Sequence, residues 1–200
     1  MINHIKKSLE LGAAVEKQIT TDDPQHLESV KDDLKEKMGA PVGLHTAGLP
    51  LIFSALFALL SFAIPQLSIW DTIFGWMEWP QHAVFIGIII TGLVYCLLVF
   101  PSLTLVSRGC LPALKFYLVL LLFTAVLAVL YLLCTIIMLL SGIENHTGFL
   151  IGALIGFVFI LASVKCLNSA MLVKTMAFYL HNRVWRRQLK IHHRQLTKRK

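Results

Sequence analysis

Among the acids and histidines, the types that hold cations or move protons, five stand between the long apolar runs: Asp71, Glu78, His82, Glu144 and His146. Carboxylate oxygens and imidazole nitrogens ligate hard and borderline metal ions, and both groups can exchange protons with a reacting atom. They fall in two short connections, 70–82 and 142–147, between long apolar runs. Nothing in the spacing fixes their mutual geometry, so a joint cation site competes with two solvated loops. Any catalysis would have to sit there, around His82 and His146. The four apolar runs have no HExxH, no GxSxG, no paired carboxylate and no glycine-rich phosphate loop. The sequence therefore reads as non-enzymatic, with no metal and no cofactor implied.

The four cysteines carry no chemistry of their own by pattern. Cys96 and Cys134 fall inside apolar runs, Cys110 and Cys166 near their ends, and none has zinc-ligand spacing. Unpaired buried thiols are expected. Asn145-His146-Thr147 matches a glycosylation sequon but lies almost against an apolar run, a poor place for an acceptor.

The elements that position these residues follow from composition. The chain is 56% hydrophobic and 14% charged, with a mean hydropathy of +0.73, outside the range of soluble domains. Four runs, near 49–69, 83–106, 116–141 and 148–164, hold no Asp, Glu, Lys, Arg or His. A hydrocarbon core of about 30 Å needs roughly 20 helical residues, which each run supplies or nearly supplies. The expected fold is all-α, a polytopic four-helix transmembrane bundle with amphipathic helices at both ends. Three blocks result: an N-terminal arm at 1–47, the bundle at 48–164 and a basic tail at 165–200. No ionisable group lies within the runs, which argues against proton-coupled transport and intramembrane catalysis.

Charge sets the expected orientation. Residues 1–47 carry six Lys and eight acids, and 165–200 carry ten Lys or Arg and no acid. The 107–115 connection has Arg108 and Lys115, whereas 70–82 and 142–147 have acids only. The positive-inside rule then places both termini in the cytoplasm, and a short uncleaved four-span chain best fits a bacterial inner membrane. Trp70, Trp76 and Trp79 in the first outer connection read as a short interfacial helix.

Two features could carry interactions. Gly148, Gly152 and Gly156 repeat every four residues, giving a helix-packing seam that permits close approach of a neighbouring helix or a second copy. In the tail, Phe178, Trp185, Leu189 and Leu196 recur on one helical face, with Arg183, Arg187, Lys190 and Arg194 on another. Together with Arg186 these make a basic amphipathic helix suited to anionic headgroups or a protein partner. Nucleic acid is not expected, because no aromatic platform or recognition fold accompanies the cations.

The N-terminal arm reads as two helices. Ile2, Ile5, Leu9 and Ala13 form a weak stripe that would suit the membrane surface. Asp23, Pro24 and Gly39 bound a better-marked helix whose Leu27, Val30, Leu34 and Met38 must dock on something, this chain's own tail or lipid or another subunit. In general plan the layout resembles small four-span bacterial immunity proteins and accessory subunits of membrane-embedded secretion machines. No motif carries either resemblance, so no residue role transfers. The expected function is that of a non-enzymatic multi-pass membrane interaction or assembly protein whose cytoplasmic arms contact a partner complex. A homo-oligomeric pore-forming or membrane-perturbing effector, and an immunity or exclusion protein, are the alternatives.

Overall fold

The computed structural model describes residues 2–20, 23–39, 43–141 and 147–198. In chain order these form α1 (Asn3–Gln18), α2 (Pro24–Met38), a 3-10 turn (Leu44–Ala47), α3 (Leu49–Trp76), α4 (Ala83–Ser107), α5 (Leu111–Leu140), α6 (Thr147–Leu167) and α7 (Ala170–Lys198). Helices α3, α4 and α5, and α6 from Gly148 to Leu167, are long and apolar enough to span a membrane. Much of their surface is exposed and apolar, for example Ile86, Ile89, Leu93 and Leu97 on α4 and Val119, Leu122 and Leu130 on α5. Patches of that kind are intolerable in water and natural in hydrocarbon. The protein is all-α and of the multi-pass membrane class.

Contacts divide the chain into two compact units. The first comprises Met1–Ile52, Leu103–Lys115 and Cys166–Lys200, and the second Phe53–Ser102 and Phe116–Lys165.

The first unit is built on α7. Asp23 caps α2 by accepting from the Gln25 amide at 3.1 Å, Pro24 takes the first helical turn and Gly39 (φ 71°) ends it. The apolar stripe thus delimited, Leu27, Val30, Leu34 and Met38, packs with Val15 and Ile19 of the α1 end against Ala177, Leu180 and Val184 of α7. Each large side chain so buried contributes about 1.5–3 kcal/mol. The α2 stripe is therefore covered by the chain's own tail.

One local expectation changes. The buried face of α1 is Ile5, Ser8, Gly12 and Val15, while Ile2 is exposed and so is Ala13. Small residues win because a Cβ at Gly12 would stand 2.7 Å from Leu111 Cδ1; close packing, which the spacing of apolar residues does not reveal, selects that face. Helix α6 ends at Leu167 and α7 begins at Ala170. Between them Asn168 Oδ1 accepts from the His4 amide at 3.1 Å, satisfying a first-turn amide of α1 that has no partner within its own helix.

In the second unit, neutral polar groups join the helices. Ser54 Oγ lies 2.8 Å from both Tyr117 Oη and Ser163 Oγ, and Ser163 donates to the Ser54 carbonyl at 2.8 Å. All three residues are buried. Since Ser163 spends its proton on that carbonyl, Ser54 donates to Ser163 and Tyr117 donates to Ser54. Tyr95 Oη meets Thr124 Oγ1 at 2.7 Å, and its ring stacks on Phe62 at 4.1 Å. At the far end, Trp70, Phe74 and Trp79 form a stack with successive centroids 5.1 Å apart. The separate interfacial helix expected there is instead the last turns of α3, which runs through Pro65 to Trp76.

Candidate interaction surface on the C-terminal helix

The tail helix has three faces with three different fates. Ala177, Leu180 and Val184 are fully buried and belong to the α1–α2 contact.

A second face, Tyr179, Arg183 and Arg186, is turned to two chain reversals. At the first, α4 ends with Gly109 in a left-handed conformation (φ 78°), its amide bonding Val106 O at 2.8 Å and the Cys110 amide bonding Leu105 O at 3.1 Å. This glycine cap leaves the carbonyls of Arg108 and Gly109 aimed outward. Arg183 Nη1 donates to Gly109 O at 2.8 Å, and Arg186 Nη2 donates to Arg108 O at 3.0 Å. Arg183 Nη2 also reaches Glu16 Oε1 of α1 at 3.4 Å, with the two side chains 30% and 43% exposed. The carbonyl bond, charge-assisted and part-buried, is worth about 1.5–3 kcal/mol, and the ion pair at most about 1 kcal/mol. At the second reversal Gly48 (φ 71°) precedes α3, and a Cβ there would collide with the Tyr179 hydroxyl. Burial pushes the Tyr179 phenol above its ordinary value, keeping it protonated.

The same helix is pinned to the arm at its edges. Arg187 Nη2 approaches Thr20 O at 3.4 Å, and Gln188 Nε2 donates to Glu28 Oε2 of α2 at 2.8 Å. Hydrogen bonds from Lys31 and then Gln188 hold the Glu28 carboxyl below its ordinary range.

The third face is covered at Phe178, which packs against the α2 cluster, and is free from Trp185 onward. Trp185, Leu189 and Leu196 are 50%, 40% and 48% exposed, and Arg186, Lys190 and Arg194 beside them are exposed too. Of the residues singled out in the tail, Arg183, Arg186 and Arg187 thus have acceptors within the chain, whereas Trp185, Lys190 and Arg194 face outward. The arginine acceptors were hidden in the sequence because most are backbone carbonyls, those of Thr20, Arg108 and Gly109. The available signal was the glycine within the short 107–115 connection.

The glycine seam divides by position. A Cβ on Gly156 would stand 3.3 Å from Ile64 Cδ1 and one on Gly152 3.7 Å from Ile64 Cγ2, whereas one on Gly148 would meet nothing within 4 Å. The seam therefore packs on α3 at its C-terminal glycine and opens toward the start of α6 into an apolar groove lined by Ile64, Leu67, Tyr131 and Phe149. Of the five candidate cation ligands, Asp71, Glu78 and His82 are exposed; Glu144 and His146, like the first two residues of the Asn145–Thr147 sequon, lie outside the described residues. Among the described residues no group of His, Cys, Asp and Glu could hold a metal ion. All four cysteines are free thiols.

Compared with protein-family models, curated proteins and solved structures, the chain matches none of them.

Proposed function

We propose that this protein is a non-enzymatic interaction or assembly protein of a bacterial inner membrane, with both termini in the cytoplasm and its partner bound on α7. The observation that carries the proposal is the free stripe of Trp185, Leu189 and Leu196. The stripes of α2 and of the α1 end, by contrast, are covered internally by α7. An aromatic residue exposed beside leucines and flanked by Arg186, Lys190 and Arg194 has the make-up of an interface centre with a charged rim. A partner presenting an apolar patch bordered by carboxylates complements it.

The orientation rests on charge. Among the described residues every Lys and Arg except Lys165 belongs to the first unit, which also gathers both chain ends. The positive-inside rule assigns such a unit to the cytoplasm. Reporter fusions at each terminus test this, and a periplasmic signal from either end overturns it.

Extraction in mild detergent followed by size analysis tests the partner. The expected result is a discrete complex that Leu189→Glu dissolves while the variant remains in the membrane. A protein that emerges alone and monomeric, with both arms dispensable, defeats the proposal.

A second reading, a homo-oligomeric pore or membrane-perturbing effector, draws on the open groove above Gly148 and Gly152. It requires that overexpression depolarise cells and that Gly152→Leu abolish the effect; an intact membrane potential counts against it.

A further inference from the structure

The positions where α3 starts, where α4 ends and where α6 ends are strung along α7. Gly48 abuts Tyr179, Arg108 and Gly109 accept from Arg186 and Arg183, and α6 ends shortly before α7 begins. A helix joined to the ends of three spanning helices runs at the level where those helices leave the hydrocarbon. Its contacts lie on one face. Tyr179, Arg183 and Arg186 are spaced i, i+4 and i+7, and at 3.6 residues per turn the same face continues through Lys190, His193 and Thr197, with Arg194 at its edge.

The first half of this face gives its donors to backbone carbonyls. In the second half the side chains of Lys190, His193 and Arg194 have no acceptor within the chain among the described residues. With Thr197 they line one open depression, all four are exposed, and α7 contains no acid to neutralise them. A cationic face continuing from membrane-exit turns is complementary to lipid phosphates.

We infer that Lys190, His193 and Arg194 form a binding face for the phosphates of anionic lipids, so that the end of α7 lies on the leaflet beyond the α4–α5 turn. This face borders the Trp185–Leu189–Leu196 stripe and shares Lys190 and Arg194 with its charged rim. Lipid phosphates therefore compete with a partner's carboxylates for these two cations, whereas the apolar stripe itself is tested separately. Each Lys or Arg close to an anionic surface contributes roughly a fivefold gain in affinity, so Lys190 and Arg194 together give about 25-fold.

Hydrogen exchange of the full chain in nanodiscs tests this without any partner protein present. Amides of 188–197 should exchange about tenfold more slowly in discs containing phosphatidylglycerol than in purely zwitterionic discs. Lys190→Gln with Arg194→Gln should erase the difference, while Lys6→Gln with Lys7→Gln and the uncharged stripe variant Leu189→Ser should preserve it. Equal exchange in both disc types overturns the inference, as does a difference that survives neutralisation of Lys190 and Arg194. Slowing in zwitterionic discs on adding glycerol phosphate would also overturn it, since it would mark a site for a free anion.

Discussion

Arg183 and Gly109 meet through a 2.8 Å hydrogen bond from a guanidinium to the carbonyl of a left-handed glycine, joining the tail helix to the turn between α4 and α5. The bond exists because a glycine cap turns the carbonyl outward, and its consequences can be measured.

Replacing Gly109 should be costly in two ways. An alanine is disfavoured by about 1–2 kcal/mol at positive φ, and its Cβ would stand 2.9 Å from Tyr179 O. Gly109→Ala should lower unfolding stability in detergent by at least about 1–2 kcal/mol. Arg183→Lys, which keeps the charge but loses the planar fork, should lose less. A double-mutant cycle between the two positions should show coupling; additive effects would mean that the contact is not energetically significant.

The α2 stripe should behave as core. Leu34 is fully buried, so Leu34→Ala should cost about 2–5 kcal/mol of the arm's stability. Limited proteolysis should then cut α2 while leaving the spanning helices intact.

Acid should loosen the same contact. The folded-state pKa of Glu28 lies below its ordinary value of 4.5, so its contribution is fully present above that value and disappears as pH falls through the lowered folded pKa. Exchange of α2 amides should rise on acidification in the wild type. In Glu28→Gln the part of that rise due to this carboxylate should be missing, and an unchanged profile would rule Glu28 out.

The hydroxyl chain in the second unit should matter more than the size of its residues. Ser54→Ala leaves Tyr117 and Ser163 without their shared partner, a loss of roughly 0.6–2 kcal/mol in a membrane protein. Denaturation in mixed micelles measures it, and no change would show that the hydroxyls find other acceptors.

The three seam glycines should respond in order. Gly148→Ala meets nothing and, at the second residue of α6, should be neutral or slightly stabilising. Gly152→Ala should be near neutral, and Gly156→Leu should destabilise because Ile64 already lies 3.3 Å from a Cβ there. Thermal unfolding of the three variants gives the ranking.

The sequence by itself determined the helices that can span a membrane, because in lipid each apolar run must satisfy its own backbone locally and length and composition suffice to mark it. It also marked α2, whose cap, proline and terminal glycine are local signals realised at Asp23, Pro24 and Gly39. Tertiary structure decided which surfaces are left over. Leu27, Val30, Leu34 and Met38 looked as ready for lipid or a partner as Trp185, Leu189 and Leu196 do, yet the first set is covered by α7 and the second is not. Periodicity gives a face but not its neighbour, and the acceptors of Arg183 and Arg186 are main-chain carbonyls more than 70 residues away in sequence. Only the folded chain, by bringing 103–115 together with both termini, separates the arginines that hold the protein together from the cations still free to bind something else.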